Sequence, residues 1–263
     1  MPNGIINLHK KKVTKMNIVW ISAASLGGAT LLGCVLGMFV KNMPHKWNDV
    51  VLGFCTGVML AASTIGLILE GFDDAEGWIA KGVVCAGVIV GALFLNLLDI
   101  VTPHMHNITG LDPEQHQNNH TLNRVLLFVL AIALHKIPEG MAAGISMSEE
   151  NPSWSVTIGL SLQNIPEAMV IIAPLLLAGV STFRTMMISL GIGMLQVIGV
   201  WLGFGIGSIS VFLIPVLLGF AGGAMLYVTS DEMIPETHAH GYQKQATYAL
   251  LVGFLTLLVI DNI

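Results

Sequence analysis

The sequence predicts an all-α integral membrane protein built from eight transmembrane helices. Three observations carry that prediction. The 263 residues are 54% hydrophobic and only 10% charged, with a mean hydropathy of +0.77, whereas a soluble domain carries roughly 25% charged residues. The apolar residues gather into stretches of about twenty, the length that crosses a hydrocarbon core. Twenty-nine glycines supply the small faces that let membrane helices approach closely. A chain so poor in charge cannot clothe a globule of this size, so a lipid bilayer is its solvent. The net charge of −5 is modest and no basic stripe is present, which argues against a nucleic-acid partner.

The first span is expected at about 17–40, behind the basic run Lys10, Lys11, Lys12 and Lys15. It is too long for a signal-peptide core and lacks a clear cleavage site, so it reads as a span. The second, 48–70, closes on an acidic turn of Glu70, Asp73, Asp74 and Glu76. The third, 78–101, ends near Asp99. Residues 102–121 then carry four histidines, two prolines and no apolar period, which predicts a mobile loop. Spans follow at about 122–147, 154–178, 183–208, 211–231 and 246–262. Acidic residues such as Glu70, Asp231 and Asp261 at span ends suit wet helix termini. One domain covers 1–263, and eight spans put both termini on one side. Apart from Lys136, the ten Lys and Arg residues divide five to five between the two sides, so the positive-inside rule does not orient the chain. Cys34, Cys55 and Cys85 all lie in apolar runs with no C-x-x-C pair, and they read as buried small hydrophobes.

The strongest signal is a doublet. "LHKIPEGM", Leu134 to Met141, lies inside span four, and "LQNIPEAM", Leu162 to Met169, lies inside span five. A charge near the middle of a spanning helix costs about 2.5–3.5 kcal/mol. Lys136, Glu139 and Glu167 would together cost about 8–10 kcal/mol if left alone, so they must face one another, water or an ion. His135 and Glu139 are four residues apart, as are Gln163 and Glu167, so each pair shares a helix face. Pro138 and Pro166 lack an N–H and crowd the carbonyl four residues back, so a kink is expected at Leu134 and at Leu162. Freed carbonyls and carboxylates on two kinked helices make a midplane cation site, and a repeated membrane element suggests a transporter built from repeats.

The doublet resembles the signature of the ZIP (ZRT/IRT-like) metal transporters, in their GufA-like branch. "GVMLAAS", Gly57 to Ser63, resembles the second helix of that family, and "GGAMLYVTSDEMIPETH", Gly222 to His238, resembles the seventh. The similarity spans essentially the whole chain and agrees in motif order and spacing. It implies an eight-helix inverted repeat with a metal held between helices two, four and five. The implied ligands are Met59, His135, Glu139, Gln163 and Glu167. Imidazole and carboxylate suit Zn²⁺ and its neighbours, and a thioether adds softness.

This chain departs from the family pattern at one residue. Many members hold two metals, with an asparagine after the fourth-helix histidine. That position is Lys136 here, while Asn164 holds the matching place in span five. The expectation is therefore one metal, with the Lys136 ammonium replacing the second cation. A further carboxylate that some members carry on helix six has Gln196 as its nearest counterpart.

The resemblance also implies a transport path through Asp99, His104 and Glu232. It places both termini outside and puts His104, His106, His116 and His120 on the cytosolic side. Transport would run toward the cytosol by alternating access, with helices one, four, five and six mobile. The cargo would be Zn²⁺, or else Cd²⁺, Fe²⁺, Mn²⁺ or Co²⁺. The expected location is the plasma membrane, and a homodimer is one assembly open to it. No catalytic cofactor is expected. An imidazole must be neutral to ligate, so metal binding should weaken in acid.

Other classes are weighed by their residues. An intramembrane metalloprotease needs H-E-x-x-H, but the neighbour of His135 is Lys136, so an enzyme is not expected. No phosphate-binding G-x-x-x-x-G-K-[ST] loop is present. A metal-selective channel and a non-transporting membrane metal sensor remain as alternatives to the transporter.

Overall fold

The computed structural model describes residues 2–39, 44–101, 120–149, 152–177 and 179–262. Among them the chain is helical almost throughout. Helix α1 runs Pro2–Phe39, starting well before the expected 17 because the basic leader continues the same helix. Helix α2 begins as His45–Ser63, passes through a π-helical stretch Thr64–Leu69 and ends as Glu70–Asp73. Helix α3 is Gly77–Val101, α4 is His120–Ser148, α5 is Ser155–Leu177 and α6 is Thr182–Gly207. Helix α7 starts as Ile214–Val228, turns through a π-helical stretch Thr229–Met233 and closes as Ile234–Thr237. It outruns the expected 231 because the π stretch carries the helix past Asp231 and Glu232. Helix α8 is Gln243–Asp261.

Seven of these helices, searched over the described residues, are long and apolar enough to cross a membrane. Helix α4, many of whose side chains lie outside the described residues, carries the polar doublet. Both α4 and α5 continue as helix through Pro138 and Pro166. The expected mobile loop and His104, His106 and His116 lie outside the described residues, as do the side chains of Asp99 and His120.

The burial pattern is inverted relative to a soluble protein. Trp20, Trp78, Ile79, Phe183, Phe212 and Tyr248 project outward, while His135, Lys136, Glu139, Gln163, Asn164 and Gln196 are buried. Hydrocarbon is a good solvent for the former and a poor one for the latter. An apolar core of Leu26, Met59, Leu67, Leu160 and Met225 fills the space around the buried polar groups.

The helices sort into two groups. Helix α4 packs most extensively on α6, and α1 packs on α5 and α6; in the other group α3 packs on α7, and α2 on α8. Contacts between the groups are sparser and run mainly between α2 and α5 and between α4 and α7. Glycine sets the closest pairs. A methyl on Gly140 would collide with the Gln196 carbonyl, and one on Gly199 would collide with the Ile137 carbonyl. The α4–α6 backbones therefore touch beside the doublet, where any side chain would force them apart.

Candidate metal centre

Helix spacing aims the doublet inward. His135, Lys136 and Glu139 on α4, and Gln163, Asn164 and Glu167 on α5, are all at most 5% exposed. Lys136 lies at the centre of this group. Its ammonium donates to Glu139 Oε2 at 2.7 Å, to Glu167 Oε2 at 2.7 Å and to Asn164 Oδ1 at 3.0 Å. All three ammonium donors are thereby used. Each carboxylate has its counter-charge in contact, which is what makes ionised side chains tolerable out of water.

Amides complete the network. Gln196 on α6 donates from Nε2 to Glu139 Oε2 at 3.0 Å and accepts from Asn164 Nδ2 at 2.7 Å. The Thr30 hydroxyl on α1 approaches Gln196 Oε1 at 3.4 Å, and Asn164 Nδ2 also reaches the Leu26 carbonyl at 3.3 Å. Four helices of one group thus meet at one hub. On the side facing α2, Gln163 Nε2 donates to Glu167 Oε2 at 3.3 Å and to Met59 Sδ at 3.5 Å. The Cys55 thiol, one turn before Met59, donates to the Gln163 carbonyl at 3.7 Å.

Of the five expected ligands, the structure joins Met59, Gln163, Glu167 and Glu139 through one network. His135 turns toward α7 instead. Its Nε2 lies 3.3 Å from Glu232 Oε1, yet it has no hydrogen-bond partner of good geometry. At that separation the contact is an ion pair only with a protonated ring. The π-helical stretch Thr229–Met233 holds Glu232. Such local widening is frequent at functional sites.

Among the described residues, no group of three or more His, Cys, Asp and Glu side chains converges to hold a metal. Lys136 is one physical reason, because its ammonium occupies the space between the two glutamates. The other expected donors, the Met59 thioether and the Gln163 amide, are not of those four residue types. At this centre the buried Gln163 Oε1 remains without a donor. A buried acceptor left unpaired costs about 1–3 kcal/mol, and a cation between α2, α4 and α5 would remove that cost. The residues present therefore fit a metal cargo.

Sequence reasoning understated Gln196, which proves to be the hub, although an amide within the apolar run of α6 was a visible signal. It missed Glu149, discussed below.

The fold and site define a multi-pass integral membrane protein with a charged, desolvated cluster at the meeting of its helices. A family model described as "ZIP Zinc transporter" matches residues 113–261. The chain is 36% identical to "Zinc transporter ZIPB" of Bordetella bronchiseptica, over 98% of this chain and 85% of that protein. It is 35% identical to "Zinc transporter GufA" of Myxococcus xanthus, over 92% and 96% respectively. It is 28% identical to "Zinc transporter ZupT" of Chlorobium phaeovibrioides, over 88% and 92%. The chain belongs to the ZIP zinc transporter family.

Proposed function

We propose that this protein carries a divalent metal ion, zinc foremost, across the plasma membrane toward the cytosol by alternating access. Cd²⁺, Fe²⁺, Mn²⁺ and Co²⁺ are the competing cargoes, since ligand type biases but does not decide among them. Eight spans form an inverted repeat around the doublet, and the prolines kink α4 and α5 at a midplane site. One metal binds there through Met59, His135, Glu139, Gln163 and Glu167. The Lys136 ammonium takes the place of a second cation. The observation that carries this reading is the single ammonium in contact with both Glu139 and Glu167.

The chain's own groups account for the steps. The cargo sheds water as the imidazole, carboxylates and amide oxygen replace its hydration shell. The Gln163 amide rotates so that Oε1, now without a donor, faces the ion. His135 leaves Glu232 to ligate, or passes the ion to Glu232, which makes Glu232 part of the path along with Asp99 and His104. Group α1, α4, α5 and α6 then moves against group α2, α3, α7 and α8. The sparser packing between the groups supports that division.

Zinc uptake into proteoliposomes tests the function. Saturable uptake should fall at least tenfold in His135→Ala and in Glu167→Ala, and unchanged uptake in both would refute the reading. Metal stoichiometry tests the lysine: one ion per chain is expected in wild type and two in Lys136→Asn. A ratio of two in wild type, unchanged by the substitution, defeats the replacement.

A further inference from the structure

Helix α2 brings a second sulfur to the centre. Cys55 lies one turn before Met59, so the two side chains share a helix face. Both are buried, at 0% and 1% exposed. Both meet Gln163 of α5. Met59 Sδ accepts from its Nε2 at 3.5 Å, and the Cys55 thiol donates to its main-chain carbonyl at 3.7 Å. The other two cysteines are placed elsewhere, Cys34 on α1 and Cys85 on α3.

A buried thiol alone would be a small packing residue. The Gln163 amide gives this one a second meaning. Its side chain is fully buried, and its Oε1 has no donor. The same amide carries the Nε2 that reaches Met59 Sδ and, at 3.3 Å, Glu167 Oε2. The unpaired oxygen thus belongs to the contact that joins α2 sulfur to the α5 carboxylate. Thioether, amide oxygen and carboxylate together are a donor set that lacks its cation. The Cys55 hydrogen bond is easily given up to such an ion. S–H is a weak donor, and the Gln163 carbonyl keeps its place in the α5 helix when the thiol leaves. No buried group is orphaned by the exchange.

We infer that Cys55 is a specificity-determining residue of the metal centre. Its sulfur joins Met59 as a ligand for thiophilic cargo, Cd²⁺ foremost, and so favours soft ions over hard Mn²⁺. The inference rests on the metal-transport reading above and adds a donor beyond its five ligands. Thiolate is the ligating form. As the Cd–S bond forms, the S–H bond breaks and its proton passes to water; no electrons move. Sulfur donors select soft ions, whereas Mn²⁺ suits carboxylate and carbonyl oxygens.

Ultraviolet absorption of the full-length, detergent-solubilised protein titrated with Cd²⁺ tests this. Thiolate-to-cadmium charge transfer gives a band that thioether, imidazole, carboxylate and amide ligands do not. Wild type should develop the band, a variant with Cys34→Ser and Cys85→Ser should keep it, and Cys55→Ser should lose it. Cys55→Ser, which retains a hydroxyl donor toward the Gln163 carbonyl, should also lower the ratio of Cd²⁺ to Mn²⁺ affinity at least tenfold. Cys55→Ala should lower that ratio equally, and circular dichroism checks both folds. Cd²⁺ bound by wild type without the band, or a ratio unchanged in Cys55→Ser and Cys55→Ala, overturns the inference. Absence of Cd²⁺ binding in wild type overturns it too. The transport reading is decided by zinc uptake, so the two fail separately.

Discussion

Among the described residues, two glutamate pairs meet the same electrostatic problem differently. At the centre, Glu139 and Glu167 flank the Lys136 ammonium, 2.7 Å from each. At the helix ends, the Glu70 charge acts on the mostly buried Glu149 carboxyl while Lys15 donates to main-chain carbonyls. The first pair carries a covalently attached cation that cannot leave, whereas at the second burial pushes the Glu149 carboxyl up to about 9, which favours its neutral form. A desolvated carboxylate pair always needs a positive partner. What differs is whether that partner responds to the solution.

The comparison breaks first at Lys136. Lys136→Met leaves two buried carboxylates without their ammonium and should cost about 3–5 kcal/mol. Thermal unfolding in chelator would show the loss. Excess zinc should restore part of it, because a cation then replaces the amine; a melt unmoved by the substitution would mean the pair was never ionised.

A smaller effect is expected at the hub. Gln196→Ala removes a donor to Glu139 and an acceptor for Asn164, and the stranded partners should cost about 1–3 kcal/mol. Gln196→Leu, which fills the space without restoring the bonds, should not recover it.

At the end pair the expected signal is a pH slope. The folded state binds the Glu149 proton more tightly than the unfolded chain does. The linkage term is therefore negative, and stability should fall as pH rises from the ordinary carboxylate range of about 4.5 toward about 9. Melting temperatures between pH 6 and pH 9 should show this decline in wild type, and a flatter one in Glu149→Gln. Below both values the Glu149 contribution is constant.

The smallest change belongs to Lys15→Met. Lys15 satisfies two carbonyls at the negative end of α4, a position worth about 0.3–1 kcal/mol. The melt should drop slightly at every pH, whereas Glu149→Gln changes its slope.

Much of this was legible in the sequence because the relevant rules are local. Apolar stretches of membrane length announced the helices, and four-residue spacing put Gln163 with Glu167, whereas His135, spaced the same way from Glu139, lies against Glu232. The sign of Lys136 against two glutamates followed from charge alone. What escaped depended on relations between helices. The π-helical stretches at Thr64–Leu69 and Thr229–Met233 have no periodic signature, yet the second carries the Glu232 that faces His135. Gln196 became the hub only because glycines bring α6 against α4. Glu149 went unread, since nothing local reveals that Glu70 of a distant helix acts on it.

The glycine seams have a mechanical consequence. Within each group the tight crossings bring backbone against backbone: Gly140 on the α6 main chain, Gly33 on that of α5, Gly91 on that of α7 and Gly57 on that of α8. Across the boundary the corresponding neighbours are softer, such as Gly66 against a Val156 methyl and Gly159 against the Leu257 side chain. Main-chain atoms cannot yield without unwinding a helix, whereas methyl groups can rotate aside. Shear is therefore cheapest along the surface between the two groups, where Gly66 and Gly159 meet only side chains.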